Sequence, residues 1–449
     1  MKKLFWAFLI VIALVCTATL ASCDTDESPS EPTGTAGGGG ADAEYSFSSS
    51  ELEKYVIVYG GGTNHYRLAL NLQQHIYSKY GKRLSVSRDV ISDPAEYEIL
   101  LGDTNRRASQ GRIMEFSLEI DEGSCIINAG GAFSVEEAVK YLCEEIFDGR
   151  EFALGAGEYC KKSFLEKSSQ ITEDSTVRVM SANLLADSFS DSSYKSAEYR
   201  AEIFAGMLIS YTPDVLGLQE TDAAWGDALD EYLIKLQENY GITYSRLLAT
   251  YNDKVNYTSL LYRSDKLKVD ESGLRDFSWW KDEAFNHSYH MRNISWAQFS
   301  TLDDTGKSFI VANTHWSYRT EHANGNTYLS GKDRPIGENE LRIQCKDETN
   351  EFLSELRQSH SQMPIFLTGD FNTSLPFFTS SGWTPSDFRV ISEEAKDNRT
   401  ALSTVPESNH FDHIFGAGEY SVKLYEFFRD TNCHGLLTDH PFVYADVDF

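Results

Sequence analysis

Residues 363–374 read MPIFLTGDFNTS. The apolar run Ile365-Phe366-Leu367 ends at Gly369, and Asp370 and Asn372 follow two positions apart. In extended backbone, side chains at i and i+2 share a face. A carboxylate acceptor and an amide donor would therefore leave the end of a buried strand together. Gly-Asp-Phe-Asn is also good turn chemistry, because Asp and Asn hydrogen-bond their own backbone; the apolar run before it favours a strand end.

Working outward, other segments repeat the arrangement. VRVMSAN ends on Asn183, DVLGLQE on Glu220, and SFIVANTHW carries His315 near its end. Asp412 stands in FDHIF, and Asp439-His440 precede the strand PFVYADV. Ligands of open α/β sheets bind at such strand ends. Each residue also has a plain structural reading: a helix-capping Glu, a turn Asn, a hydrogen-bonded core His.

The chain has 449 residues, 41% hydrophobic and 24% charged, a composition that excludes collagen-like, coiled-coil and wholly disordered classes. Forty Lys and Arg against 68 Asp and Glu give a net charge of −28. Such a surface repels the phosphate backbone and argues against non-specific duplex binding over the whole molecule. A local phosphate site remains possible, because one bound cation inverts the sign around it.

In order and spacing, SANLL, LGLQET, ANTHW, LTGDFNTS, FDHIF and TDHPF resemble the motif set of the endonuclease/exonuclease/phosphatase superfamily. The resemblance covers residues 176–449. It implies an α/β, DNase I-like four-layer sandwich of two packed mixed β-sheets flanked by helices. It implies Mg²⁺- or Mn²⁺-dependent hydrolysis of a phosphate mono- or diester by in-line attack of water. By the same resemblance Glu220 is the principal metal ligand, with Asn183 and Asp439 beside it. Asp370 and Asn372 hold the attacking water and a phosphoryl oxygen. His440 is general base or transition-state stabiliser, oriented by Asp412. His315 contacts the phosphate and protonates the leaving oxygen, and Arg292 binds phosphate. The residue types suit these tasks. Mg²⁺ takes oxygen ligands and keeps several waters. A carboxylate on one imidazole nitrogen fixes the tautomer and raises the basicity of the other. A guanidinium binds phosphate bidentately, although a surface salt bridge is an equal use of Arg292. His413, beside Asp412, reads as packing.

The N-terminus reads as a sorting signal. Lys2 and Lys3 precede the apolar stretch Leu4 to Val15, and Leu20-Ala21-Ser22-Cys23 follows. This resembles a bacterial lipoprotein signal, with residues 1–22 removed and Cys23 lipidated. A transmembrane anchor is the alternative, but the run is short for a span and no basic stop-transfer cluster follows. Residues 23–44 are a Gly-, Ser-, Pro- and acid-rich flexible tether. The expected location is extracytoplasmic, on a bacterial membrane.

Residues 45–165 alternate strands with helices and read as a small accessory α/β domain, and residues 166–175 as a polar connector. HYRLALNLQQHIYSKYG is a helix with Leu68, Leu70, Leu72, Ile76 and Tyr77 available to its buried side. SVEEAVKYLCEEIF is a helix capped by Ser134, with Glu137 at capping-box spacing. EYEILLGDTNR gives this domain a loose resemblance to the non-catalytic domains of secreted carbohydrate-active enzymes, hence a glycan as a further partner. Cys125, Cys143, Cys160, Cys345 and Cys433 are odd in number and show no zinc spacing; Cys125, Cys143 and Cys160 are close enough in sequence for one local disulfide, but buried free thiols are the preferred reading.

Substrate class is open to several readings. Phe277, Trp279, Trp280 and Phe285 suit a sheet edge or a membrane wedge. The long loop Tyr318 to Glu338 follows His315 and carries Arg319, Lys332 and Arg334. That modest basic patch suits a phosphorylated small molecule, a phospholipid headgroup or a short nucleic acid more than a long duplex. A nuclease, a sphingomyelinase-type phosphodiesterase and a non-catalytic surface binding protein that keeps the fold are the alternatives. No stable protein partner is evident in the sequence.

Overall fold

The computed structural model describes residues 47–61, 64–166, 168–189, 195–251, 254–278, 292–317, 338–374, 378, 388–399, 410–429 and 436–449. Cys23, Trp279, Trp280, Phe285, Arg319, Lys332, Arg334 and Cys433 lie outside these residues, as does the whole segment before residue 47. Among the described residues no helix is long and apolar enough to cross a membrane, and Cys125, Cys143, Cys160 and Cys345 are free thiols.

The first sheet is built from β1 (Val56–Tyr59), β2 (Ser85–Arg88), β3 (Glu98–Leu101), β4 (Glu115–Asp121), β5 (Ser124–Ala129) and β6 (Gly157–Ser163), in the order β2-β1-β3-β5-β4-β6. Its first four strands run parallel. Helix α1 (His65–Tyr80) buries Leu68, Leu72 and Ile76 and ends at Gly81, whose φ of 68° is the left-handed stop that glycine takes without a Cβ penalty. Leu70 and Tyr77 are exposed, because a helical period of 3.6 turns them away from the sheet. Helix α2 spans Ala132–Tyr141 and begins two residues before Ser134. Ser134 is therefore inside the first turn, with its hydroxyl on the Glu202 carboxylate, and does not cap the helix.

Apart from two short two-stranded ribbons, the further strands are β7 (Val177–Asn183), β8 (Val215–Gln219), β9 (Tyr244–Leu247), β10 (Leu260–Arg263), β11 (Leu267–Asp276), β12 (Asn293–Thr301), β13 (Ser308–His315), β14 (Ile365–Asp370), β15 (Arg389–Val390), β16 (Asp397–Asn398), β17 (Asp412–Ala417), β18 (Ser421–Phe428) and β19 (Phe442–Asp448). They form two mixed sheets, β9-β10-β8-β7-β19-β18-β16 and β11-β12-β13-β14-β17-β15. Helices α3 (Ala197–Tyr211) and α4 (Ala223–Tyr240) follow β7 and β8, and α5 (Glu338–Ser359) precedes β14.

The alternation of side chains explains the layering. Val177, Val179, Val215, Phe309, Val311, Phe366, Val443 and Val447 belong to one core between the sheets. Their neighbours Met180, Ala182, Leu216 and Leu218 pack instead with Phe204 and Leu208 of α3 and Trp225 and Leu229 of α4. Ile310, Ala312, Ile365 and Leu367 pack with Leu353 and Leu356 of α5. Helices, sheet, sheet and helix make four layers, the DNase I-like architecture. Each buried Val, Leu or Phe contributes roughly 1.5–3 kcal/mol.

The same period carries the inner face from apolar to polar along each central strand. Val179 gives way to Ser181 and Asn183, Val311 to Asn313 and His315, and Phe366 to Thr368 and Asp370. One rim of the sandwich thus collects the polar residues. The α3/α4 core also includes Ile113, Met114, Ala132 and Phe133 of the N-terminal module, so a single apolar cluster crosses from one sheet system to the other.

Candidate active site

Strand register assembles the site. His315 is the parallel partner of Asp370 across β13 and β14, and Asp370 is the antiparallel partner of Asp412 across β14 and β17. In the facing sheet, Asn183 pairs with Gln219, which places Glu220 one residue beyond. His440 enters from the segment before β19. Asn183, His315, Asp370, Asn372, Asp412 and Arg292 are buried, Glu220 and His440 partly so.

Asp370 is the hub. Its Oδ2 accepts from Asn183 Nδ2 at 3.0 Å, lies 3.2 Å from His315 Nε2 and 3.8 Å from His440 Nε2. Its Oδ1 accepts the Asn372 amide at 2.8 Å. Asn183 Nδ2 also donates to Glu220 Oε1 at 3.2 Å, while Asn183 Oδ1 accepts from Leu185 N at 2.9 Å. The opposite amide orientation would set an oxygen against two carboxylates and an NH₂ against an N–H. Asn183 thus donates to both acids in this structure. Glu220 Oε2 accepts from Ala186 N at 3.1 Å, and Glu220 Oε1 stands 3.9 Å from His315 Nε2. Asn372 Nδ2 lies 3.2 Å from His315 Nε2 and donates to Trp316 O at 3.0 Å.

On the other side of Asp370, His440 Nδ1 meets Asp412 Oδ2 at 2.8 Å, which leaves Nε2 turned toward Asp370 Oδ2. Asp412 Oδ1 is buried without a hydrogen-bond partner. Asp439 sits at the rim, about half exposed, with Oδ1 4.0 Å from His440 Nε2; it is not brought into the carboxylate cluster. Thr438 ties the strand ends together, donating to Asn183 O at 2.9 Å and accepting from His440 N at 3.2 Å.

The charges are strongly coupled. Burial alone would raise Asp370, but the His440 and His315 charges and the Asn372 amide hold its carboxyl well below the usual range. Burial likewise opposes ionisation of Glu220, yet His315, the Ala186 amide, His440 and Arg292 leave it below its ordinary value. Burial disfavours charged His440, but Asp412, Asp370 and Asp439 together hold its imidazole well above its ordinary value. Glu220 and Asn372 both adopt left-handed backbone, with φ of 61° and 51°, strain of order 1–3 kcal/mol each that clusters at functional sites.

The donor atoms of Glu220, His315 and Asp370 lie within 4.8 Å of one another, as do those of Asp370, Asp412 and His440. Two neighbouring carboxylates repel unless a cation or donors offset them. The cluster is thus suited to a hard divalent ion.

Several residues at the site had no assigned role in the sequence. Gln219 Nε2 donates to Asn313 Oδ1 at 2.7 Å, and Asn313 Nδ2 donates to Leu218 O at 2.8 Å, joining the two sheets directly beneath the site. Both stand inside the quoted motifs LGLQET and ANTHW, so their position was visible though their partners were not. Tyr257 adjoins Glu220, Asp222 and Arg292; burial first and then the charges of Asp222 and Glu220 push its hydroxyl up to about 12. Nothing in NYTSL announces it.

No curated protein matches this chain in sequence. Among solved structures it is similar to a mannosyl-6-phosphatase of Bacteroides thetaiotaomicron VPI-5482, with 23% identity over 61% of this chain and 100% of that one, TM-score 0.44. It is similar to an endonuclease/exonuclease/phosphatase of Bacteroides vulgatus, 21% identical over 61% and 98%, TM-score 0.45. It is also similar to the human Nocturnin catalytic domain with bound sulfate anion, 18% identical over 61% and 94%, TM-score 0.44. The model of the endonuclease/exonuclease/phosphatase family matches residues 180–440, more than half of the chain. The chain is a member of that family, whose enzymes act on phosphate ester bonds.

Proposed function

We propose that the protein is a lipid-anchored, extracytoplasmic phosphoesterase that uses Mg²⁺ or Mn²⁺ to hydrolyse a phosphate mono- or diester. The observation that carries the reading is Asp370, shared between the Glu220–His315 group and the Asp412–His440 pair. Glu220 and Asp370 would hold the ion, with His315 beside them. When bound, the ion supplies charge neutralisation and polarisation of a phosphoryl oxygen.

The protein's own groups do the rest. Asp412 fixes His440 with its Nδ1 proton inward and presents Nε2 to the reacting centre, where it exchanges a proton with water or the phosphoryl group. Asn183 and Asn372 orient the carboxylates and offer N–H to oxygen. His315 stands where it can donate to the leaving oxygen. The buried Arg292, whose charge reaches Glu220, would favour a phosphate beside that carboxylate.

The anchoring rests on the residues 1–22 signal and Cys23. It is tested by mass spectrometry of the mature protein, which should show an acylated Cys23. The chemistry is tested by incubating the chain with Mg²⁺ and, separately, linear DNA, RNA, inositol phosphates, sugar phosphates and sphingomyelin. Consumption of one, abolished by chelation, supports the proposal. Consumption of none across the panel would favour a non-catalytic binding protein.

A further inference from the structure

Helix α3 lies between the N-terminal module and the sheet that carries Asn183. We propose that Arg200, on this helix, is a positioning residue for the active site: it ties the segment after Asn183 to the segment before His440 and so sets one against the other. The inference rests on the proposed chemistry only where turnover is the readout.

Arg200 is fully buried. Its Nη1 donates to the carbonyls of Leu184 at 2.7 Å, Leu185 at 2.8 Å and Leu437 at 3.2 Å, and its Nε donates to Lys195 O at 2.9 Å. Leu184 and Leu185 directly follow Asn183; Leu437 precedes Thr438, Asp439 and His440. The guanidinium centre stands 4.9 Å from the Trp225 ring, and Trp225 Nε1 donates to the same Leu185 carbonyl at 2.9 Å. Leu185 has φ 53°, a strained conformation for leucine, and these donors hold it there.

Burying a guanidinium is costly, and an apolar side chain would fill the volume more cheaply. What the apolar side chain cannot do is bridge carbonyls of two chain segments in one rigid plane. In Arg200 a single nitrogen, Nη1, makes the bridge, and Nε on the Lys195 carbonyl fixes the plane that aims it; an ammonium could meet the carbonyls but, on a flexible stem with no second anchored donor, would not hold them in one fixed arrangement.

The helix is itself gripped from the N-terminal module. Glu202, two residues on, accepts from Met114 N at 3.0 Å, from Ser134 N at 3.1 Å and from the Ser134 hydroxyl. Lys195, whose carbonyl takes Arg200 Nε, places its ammonium on Glu136 of α2 at 2.7 and 2.9 Å. The module thus braces the helix that braces the two catalytic segments.

Arg178 provides an internal control. It is equally buried, sits at the opposite end of β7 from Asn183, and donates to Asp446 at 2.6 Å and to Tyr211 O at 2.7 Å, away from the site. The test compares Arg200→Ala, Arg200→Lys and Arg178→Ala, with kcat and KM measured on p-nitrophenyl phosphate and bis(p-nitrophenyl) phosphate in Mg²⁺, alongside thermal midpoints. Arg200→Ala should lower kcat about 10²-fold with little change in KM, and Arg200→Lys should recover only part of it. Arg178→Ala should lose stability while keeping kcat. Equal kcat losses in the two alanine variants, or an unchanged kcat in Arg200→Ala, would overturn the proposal. Crystal structures of wild type and Arg200→Lys give a readout independent of turnover. Segments 184–187 and 436–440 should shift relative to each other while the strands superpose. If they do not move, the proposal fails even where neither ester is a substrate; if Arg200→Ala does not fold, Arg200→Lys carries the test.

Discussion

Glu220 combines a left-handed backbone, which costs stability, with a carboxylate beside that of Asp370 whose charge the surrounding cations and the Ala186 amide offset. Replacing it by Gln keeps the shape and removes the like-charge contact. Glu220→Gln is therefore expected to lower turnover by on the order of 10²-fold or more, since several kcal/mol of charge stabilisation go with the ion. In chelator the variant should stay folded with at most a modest fall in thermal midpoint, because the His315, Ala186 and Arg292 interactions that, against burial, hold Glu220 below its ordinary value favour its charge in the fold; loss of the folded state would mean that Glu220 is a structural acid. At this scale much of the site was legible: Glu220, His315, Asp370 and Asn372 stand at or just past the end of an apolar run and Asp412 and His440 just before one, and the structure brings them to one rim. The orientation of the Asn183 amide was not legible, because it depends on Leu185 N and two carboxylates from distant strands. Arg200 and Tyr257 were hidden for the same reason: their partners are set by tertiary packing.

The strands show why certain small residues sit where they do. A Cβ on Gly217, in the middle of β8, would meet Thr368 Oγ1 at 2.0 Å and Asn313 Oδ1 at 2.4 Å. Only a bare backbone lets the two sheets approach beneath the site. Gly217→Ala should destabilise the fold by about 1–3 kcal/mol through overpacking and also lower turnover, measurable by denaturant unfolding and kinetics. In helix α3, burial raises the Glu202 carboxyl above 4.5 despite the Ser134 and Met114 donors. The folded state then holds its proton to higher pH than the unfolded chain. The contribution of Glu202 is full below about 4.5 and declines as pH rises through the folded value. The stability of wild type minus that of Glu202→Gln should therefore fall as pH is raised from 4.5; a rising difference would contradict the assignment. Strand alternation was plain in the sequence, and so was α1. The start of α2 was misplaced because Ser134 has cap chemistry but is used by Glu202, 68 residues away.

Across the whole molecule, residues 45–449 form one compact unit, and Ile113, Met114, Ala132 and Phe133 share a core with α3 and α4. The Phe133 and Tyr199 rings meet edge-on at 5.6 Å. The composition changes near residues 166–175 suggested two parts, but only the packed structure shows how much apolar surface they share. Calorimetry of the full chain should accordingly give one cooperative transition; two well-separated transitions would show that the module folds independently. The net charge of −28 predicts no retention of long duplex DNA at physiological salt in a filter-binding assay. The most direct test of the central claim is turnover of the best phosphate ester by wild type, Glu220→Gln and His440→Ala in Mg²⁺. The account predicts that both variants remain folded and lose activity, His440→Ala by about 10²–10⁴-fold. Near wild-type turnover by either folded variant would contradict it.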